Sequence, residues 1–108
     1  MPHFNCLIQE GGAAQSASPE LERQLGDLHA SEYPGEQATV SWRTVPAGFM
    51  FTEGRQSTSS IILCTIDHET SLAGRERYMR RVCDIWTDVT GCTDHEVVVA
   101  INEATSTE

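Results

Sequence analysis

The first half of the chain shows three hydrophobic patterns in turn. A short apolar run at residues 3–8 predicts a strand that starts almost at the first residue. Ser18 and Pro19 predict a helix start, because hydroxyl side chains favour the cap and proline the first turn. Apolar residues then recur at helical intervals, at Leu21, Leu25 and Leu28. Residues 37–45 alternate between apolar and polar, which predicts a second strand.

The second half repeats this order with a stronger apolar signal. After a turn and a polar loop at residues 52–58, a nearly continuous apolar run at 60–66 is typical of a strand buried on both faces. Helical spacing predicts a helix over residues 71–90, which Gly91 ends. Residues 96–102 predict a last strand, and 103–108 a frayed tail.

The predicted order is therefore β-α-β-β-α-β, a duplicated α+β fold in a single domain spanning residues 1–108. Two β-α-β units side by side form a four-stranded sheet with both helices on one face. We expect the other face to carry residues such as Trp42 and to be covered by another subunit.

Composition excludes several classes of function. The chain has seven Arg and no Lys against sixteen Asp and Glu, a formal charge of −9. Nucleic acids and anionic membranes need a basic footprint, so neither is an expected partner. The absence of Lys excludes Schiff-base lysine chemistry and the P-loop lysine.

The four cysteines have wide spacings without a C-x-x-C pair. This pattern predicts small buried hydrophobes in a protein of the reducing cytoplasm. His68, His95 and the acids near them lack the tight spacing of metal ligands, so no metal site is expected.

Pro2 is the first candidate for chemistry. Methionine before a small residue such as proline is normally removed, which would leave Pro2 as a secondary amine at the N-terminus. An α-amino group titrates near pH 8, and burial lowers its pKa by disfavouring the charged form. A pKa near 7 suits general acid–base catalysis.

A Met-Pro start that opens into a strand of a duplicated β-α-β chain resembles the tautomerase superfamily. Within it, the chain most resembles the cis-3-chloroacrylic acid dehalogenase group, with similarity to malonate semialdehyde decarboxylase. One matching feature is His29, which follows Pro2 by 27 residues. The others are the Val-Ser-Trp segment at 40–42, the Pro-Ala-Gly segment at 46–48 and the last strand at 97–100. The resemblance implies a homotrimer of the fold shared with macrophage migration inhibitory factor, with an active site around each Pro2 and no cofactor.

The resemblance also implies roles for particular residues. His29 would donate a hydrogen bond to a substrate carboxylate or carbonyl oxygen. Its alternative, which the sequence alone favours, is a helix-end histidine stabilised by the helix dipole. Glu36 falls near the decarboxylase's water-activating aspartate, and its alternative is a solvated turn acid. The relatives' two arginines after the third strand are missing here, which leaves Arg43, Arg55 and Trp42 as candidates for binding substrate.

Two functions follow from these observations. The first is a proline-dependent enzyme that acts on a small carbonyl compound or unsaturated carboxylic acid. Keto–enol tautomerisation is favoured, because hydration, dehalogenation and decarboxylation in the relatives use the missing arginines. The alternative is a catalytically degenerate trimer of the same fold that serves as a binding or scaffold protein.

Overall fold

The computed structural model describes residues 1–104. Its elements are β1 (His3–Gln9), α1 (Ala13–Ser16), α2 (Ser18–Glu32), β2 (Thr39–Val45), β3 (Phe51–Thr52), β4 (Arg55–Gln56), β5 (Ser60–Ile66), α3 (Leu72–Thr90), a 3₁₀ turn (Asp94–Glu96) and β6 (Val97–Glu103). The tail expected at 103–108 starts later than predicted, because Glu103 belongs to β6 and accepts a hydrogen bond from the Thr70 amide at 3.0 Å. The remainder of that tail, from residue 105, lies outside the described residues.

The main sheet has the strand order β2-β1-β5-β6. β1 is parallel to β2, β5 is parallel to β6, and the two central strands β1 and β5 are antiparallel. The duplicated β-α-β order and the four-stranded sheet are thus confirmed. No helix within residues 1–104 combines the length and the apolar character that a membrane span requires.

The core lies between the sheet and the helices α2 and α3. Alternate residues of β1 and β5 face this layer and are buried, and the leucine stripe of α2 and Trp86 of α3 pack against them. Cys6 and Cys64 are fully buried here, and burial raises the pKa of each thiol to about 12. Cys83 and Cys92 pack at the edge of the same core, and all four cysteines are free thiols.

Trp42 lies on the helical face of the sheet, so the expectation that it belongs to the other face is wrong. The parallel register places Trp42 beside Cys6, whose side chain points into the core. The Trp42 ring lies 6.0 Å from the Trp86 ring, and its indole nitrogen donates to Glu22 of α2 at 3.0 Å. The open face instead carries the alternate positions, among them Leu7, Arg43, Ile61, Leu63 and Val98.

Three local features differ from the sequence prediction. Ser18 does not cap α2, because α1 leads directly into it and Ala17 occupies the cap position without a side-chain hydrogen bond. The loop at 52–58 contains the short β3–β4 hairpin. Glu53 and Gly54 form its turn, both with positive φ, as two-residue hairpin turns require.

Candidate active site

Pro2 lies at one edge of the sheet, where β1 and β2 begin and β5 ends. It is buried, and its carbonyl accepts a hydrogen bond from the Thr39 amide at 3.1 Å. The pairing of His3 with both Thr39 and Thr65 continues the sheet to this point. Pro2 is therefore fixed at the start of the central strand β1 and bonded to the neighbouring strand β2, so it lies on the sheet as the sequence predicts.

The ammonium group of the chain pairs with Asp67, the first residue after β5. The Met1 nitrogen lies 2.8 Å from a carboxylate oxygen of Asp67. With Met1 present, the nitrogen of Pro2 is an amide and carries no proton. A carboxylate is thus already positioned beside the start of the chain.

Glu36 is held between two histidines at this edge. Its Oε1 lies 2.9 Å from Nε2 of His29, and its Oε2 lies 2.6 Å from Nε2 of His68. The hydrogen bonds from His29 and then His68 lower the pKa of the Glu36 carboxyl. Glu36 is therefore an ionised carboxylate, partly exposed, that joins the end of α2 to the segment after β5.

His29 is fully buried, and both of its ring nitrogens are engaged. An ionised carboxylate can only accept, so Nε2 carries the proton that binds Glu36. Nδ1 then accepts from the hydroxyl of Tyr78 at 2.9 Å, and burial raises the pKa of Tyr78, which keeps that hydroxyl protonated. A substrate could bind His29 only by replacing one of these two bonds.

Tyr33 and Tyr78 were not predicted as site residues from the sequence, and His68 was considered only as a metal ligand. His68 stacks on Tyr33 with ring centroids 4.1 Å apart and planes 1° from parallel. The available signals were positional: Tyr33 lies four residues after His29 near the end of α2, and His68 directly follows a central strand and Asp67. His68 lies in the segment after β5, where the resemblance to the dehalogenase group implied arginines.

The candidate arginines lie away from Pro2 within the protomer. Arg43 is on the open face, paired with Leu7, about 13 Å along β2 from Thr39 at the usual strand rise. Arg55 is in the β3–β4 hairpin, beyond the opposite edge of the sheet. Arg75 lies at the same edge of the sheet as Pro2. Its guanidinium donates to the Thr70 carbonyl at 2.9 Å and lies 3.6 Å from the carboxylate of Glu103.

Glu36→Gln is expected to make folding less sensitive to acid. The pKa of Glu36 is lower in the folded state, so its contribution is present above its unfolded pKa of about 4.5 and is lost as pH falls through the folded value. Urea unfolding at pH 6 and pH 3 measures the difference. Wild type should lose more stability over this interval than Glu36→Gln, and the exposed control Glu69→Gln should behave like wild type. Equal losses in wild type and Glu36→Gln would contradict this role for Glu36.

Solved structures with the same architecture decide the fold. Native Ps01740 superposes with a TM-score of 0.85 at 24% sequence identity, over 96% of this chain and 95% of its own. N1, a member of the cis-3-chloroacrylic acid dehalogenase family, gives a TM-score of 0.84 at 18% identity, over 98% of this chain and 79% of its own. This chain has the tautomerase-superfamily fold.

The tautomerase-superfamily fold extends to a further group of proteins. The macrophage migration inhibitory factor-like protein from Entamoeba histolytica has a TM-score of 0.71 at 18% identity, over 96% of this chain and 89% of its own. No protein-family model and no curated protein sequence matches the chain. The likeness therefore rests on three-dimensional structure, in which Pro2 precedes the central strand β1.

Proposed function

We propose that this protein is a tautomerase-superfamily enzyme in which Pro2, freed by removal of Met1, exchanges a proton with a carbon atom next to a substrate carbonyl. The observation that carries the proposal is the position of Pro2, buried at the start of the central strand and at the same sheet edge as the Glu36–His29 pair. A buried secondary amine combines low solvation with a fixed position, and both suit proton transfer.

The reaction is a keto–enol tautomerisation of a small carbonyl compound, with or without a carboxylate. In the keto-to-enol direction the Pro2 nitrogen takes a proton from the α-carbon. The electrons of that C–H bond form the C=C bond, and those of the carbonyl π bond move to oxygen, which gains a proton. In the reverse direction the Pro2 ammonium returns its proton to the carbon.

The assay for this function is the ketonisation of phenylenolpyruvate, followed by ultraviolet absorbance. The intact mass of the protein is measured first by mass spectrometry, because the mechanism requires a mass lower than that of the full chain by one methionine residue. We expect the processed protein to accelerate ketonisation over the buffer rate. Retained methionine, or processed protein without activity on enol and keto acids, overturns the proposal and favours the binding or scaffold role.

Asp67→Asn is expected to shift the pH profile of this activity. Asp67 pairs with the terminal ammonium of the chain that retains Met1, and a carboxylate near an amine favours its protonated form, so removal of this carboxylate should ease deprotonation of the Pro2 amine. The pH dependence of kcat/KM for phenylenolpyruvate reports that ionisation in the free enzyme. Its basic limb should move to lower pH in Asp67→Asn and stay in place in Glu69→Gln. An unmoved limb in Asp67→Asn would argue against this contact.

We also propose a homotrimer assembled through the open face of the sheet. The fused 4-OT structures of the same fold are described as trimers. On this face Ile61, Leu63 and Val98 are exposed large hydrophobic residues, and Phe49 and Phe51 lie beside them. An apolar surface of this kind is typical of an interface between subunits.

Ile61→Glu is expected to convert the trimer into monomers, because the new carboxylate would be buried between subunits without a partner. Light scattering after size-exclusion chromatography measures the mass. Leu72→Glu is the matched control, since Leu72 is also exposed and apolar but begins α3, away from the sheet face. A trimer that survives Ile61→Glu would place the interface elsewhere.

A further inference from the structure

The two histidines that bind Glu36 differ in access to solvent. The His29 side chain is 0% exposed, whereas the His68 side chain is 36% exposed. A group that exchanges protons with a substrate must be able to touch it. Of these two rings, only that of His68 meets this condition without giving up an existing hydrogen bond.

His68 is also oriented from two sides. Its Nε2 lies 2.6 Å from Glu36, and its ring face is covered by Tyr33 at 4.1 Å. Because the ionised carboxylate of Glu36 only accepts, Nε2 carries the proton in the neutral ring. Nδ1 then carries the lone pair, and no residue between 1 and 104 forms a hydrogen bond with it.

The place of His68 in the chain brings it to the edge where Pro2 lies. It directly follows Asp67, whose carboxylate binds the ammonium of Met1 at 2.8 Å. Pro2 is the next residue after Met1 and directly precedes His3, which pairs with Thr65 near the end of β5. A small molecule against Pro2 would therefore lie beside the loop that begins with Asp67 and His68.

We infer that His68 is a second proton-transfer residue of this site, acting at the substrate oxygen while Pro2 acts at the carbon. The inference rests on the proposed function. It identifies the residue that exchanges a proton with the substrate oxygen in that reaction. During ketonisation, Nδ1 of His68 takes the enol O–H proton and the O–H electrons form the carbonyl π bond. The C=C electrons take a proton from the Pro2 ammonium to form the new C–H bond. Water then carries the proton from His68 back to Pro2.

Glu36 and His29 are positioning residues in this arrangement. Glu36 fixes the tautomer of His68, and the hydrogen bond from His29 fixes Glu36. A hydrogen bond from one ring nitrogen to a carboxylate sets the tautomer and the orientation of a histidine, so its other nitrogen is available to accept a proton. The buried hydroxyl of Tyr78 in turn donates to Nδ1 of His29 and so fixes the His29 ring.

The test compares His68→Phe with His95→Phe. Phenylalanine keeps the stacking on Tyr33 but has no ring nitrogen. His95 is a matched control, because it also pairs with a glutamate, Glu53 at 3.3 Å, but lies before β6 at the opposite edge of the sheet. We expect kcat/KM for phenylenolpyruvate to fall about 100-fold in His68→Phe and to stay within twofold in His95→Phe.

Two further readouts separate this role from a structural one. The acidic limb of the pH profile of kcat/KM, where the wild-type base becomes protonated, should vanish in His68→Phe. The reaction of Pro2 with 2-oxo-3-pentynoate should continue in that variant, since Pro2 is intact. His68→Gln retains a donor to Glu36 and should be as slow as His68→Phe, and it serves as the test if the phenylalanine variant fails to fold.

The inference is overturned if wild type is active and both His68 variants keep kcat/KM within threefold, or if the acidic limb persists in them. A wild type without ketonisation activity removes the proposed function itself, and this inference with it. If His68→Phe loses both its activity and the labelling of Pro2, His68 has a structural role and the inference is also overturned.

Discussion

Pro2→Ala is expected to lower kcat/KM for phenylenolpyruvate by about 100-fold or more. Methionine is removed before alanine as before proline, so both proteins begin with a free amine. The proline ring fixes the amine at the start of β1, whereas the primary amine of alanine can rotate away from the substrate. Proton transfer by a positioned group is worth about 10²–10⁴ in rate, and the loss should fall in that range.

The control for this variant is Pro19→Ala, which replaces the proline in the first turn of α2. It should leave kcat/KM unchanged within twofold. Intact mass must confirm that Met1 is absent from both variants. Activity of Pro2→Ala within threefold of wild type would mean that the reaction does not use the nitrogen of Pro2.

His29→Ala is expected to lower the free energy of unfolding by about 3 kcal/mol. The substitution leaves a cavity in the core and strands the buried hydroxyl of Tyr78, and each effect costs about 1–3 kcal/mol. For a domain of this size the loss corresponds to a decrease in Tm of roughly 10–20 °C. Urea unfolding at a fixed subunit concentration measures it, because assembly also stabilises the folded state.

His95→Ala is the matched histidine control, since His95 is exposed and its pair with Glu53 lies in solvent. It should change the free energy of unfolding by no more than about 0.5 kcal/mol. If His29→Ala lowers the free energy of unfolding by less than about 1 kcal/mol, the buried hydrogen bonds of His29 contribute little to stability and this prediction is wrong.

The sheet and the long helices could be predicted from the sequence because their patterns are local. The leucine stripe of α2 is confirmed, and the apolar run at 60–66 does form the strand β5. The expectation that this strand is buried on both faces is wrong for the single chain, because Ile61 and Leu63 are exposed on the open face of the sheet. The face of Trp42 could not be predicted in this way. It depends on the register between β1 and β2, which is set by pairing across the sheet and not by alternation within one strand.

The candidate site was only partly predictable for a similar reason. Pro2 and its attachment to the sheet follow from a strand that starts at the third residue. The contacts of Glu36 with His29 and His68 join positions separated by 7 and 32 residues, and these meet only when α2 and β5 end at the same edge. The roles of Arg43 and Arg55 in binding substrate stay predictions, because neither lies near Pro2 within the protomer.

The proposed function requires that Pro2 carries a free, reactive amine at this site. The most direct measurement is peptide mapping by mass spectrometry after incubation with 2-oxo-3-pentynoate, whose alkyne accepts an amine by addition without a leaving group. We expect one adduct per chain, with the full mass of the reagent, on the nitrogen of Pro2. A chain that retains Met1, or an adduct on a cysteine with Pro2 unmodified, would contradict it.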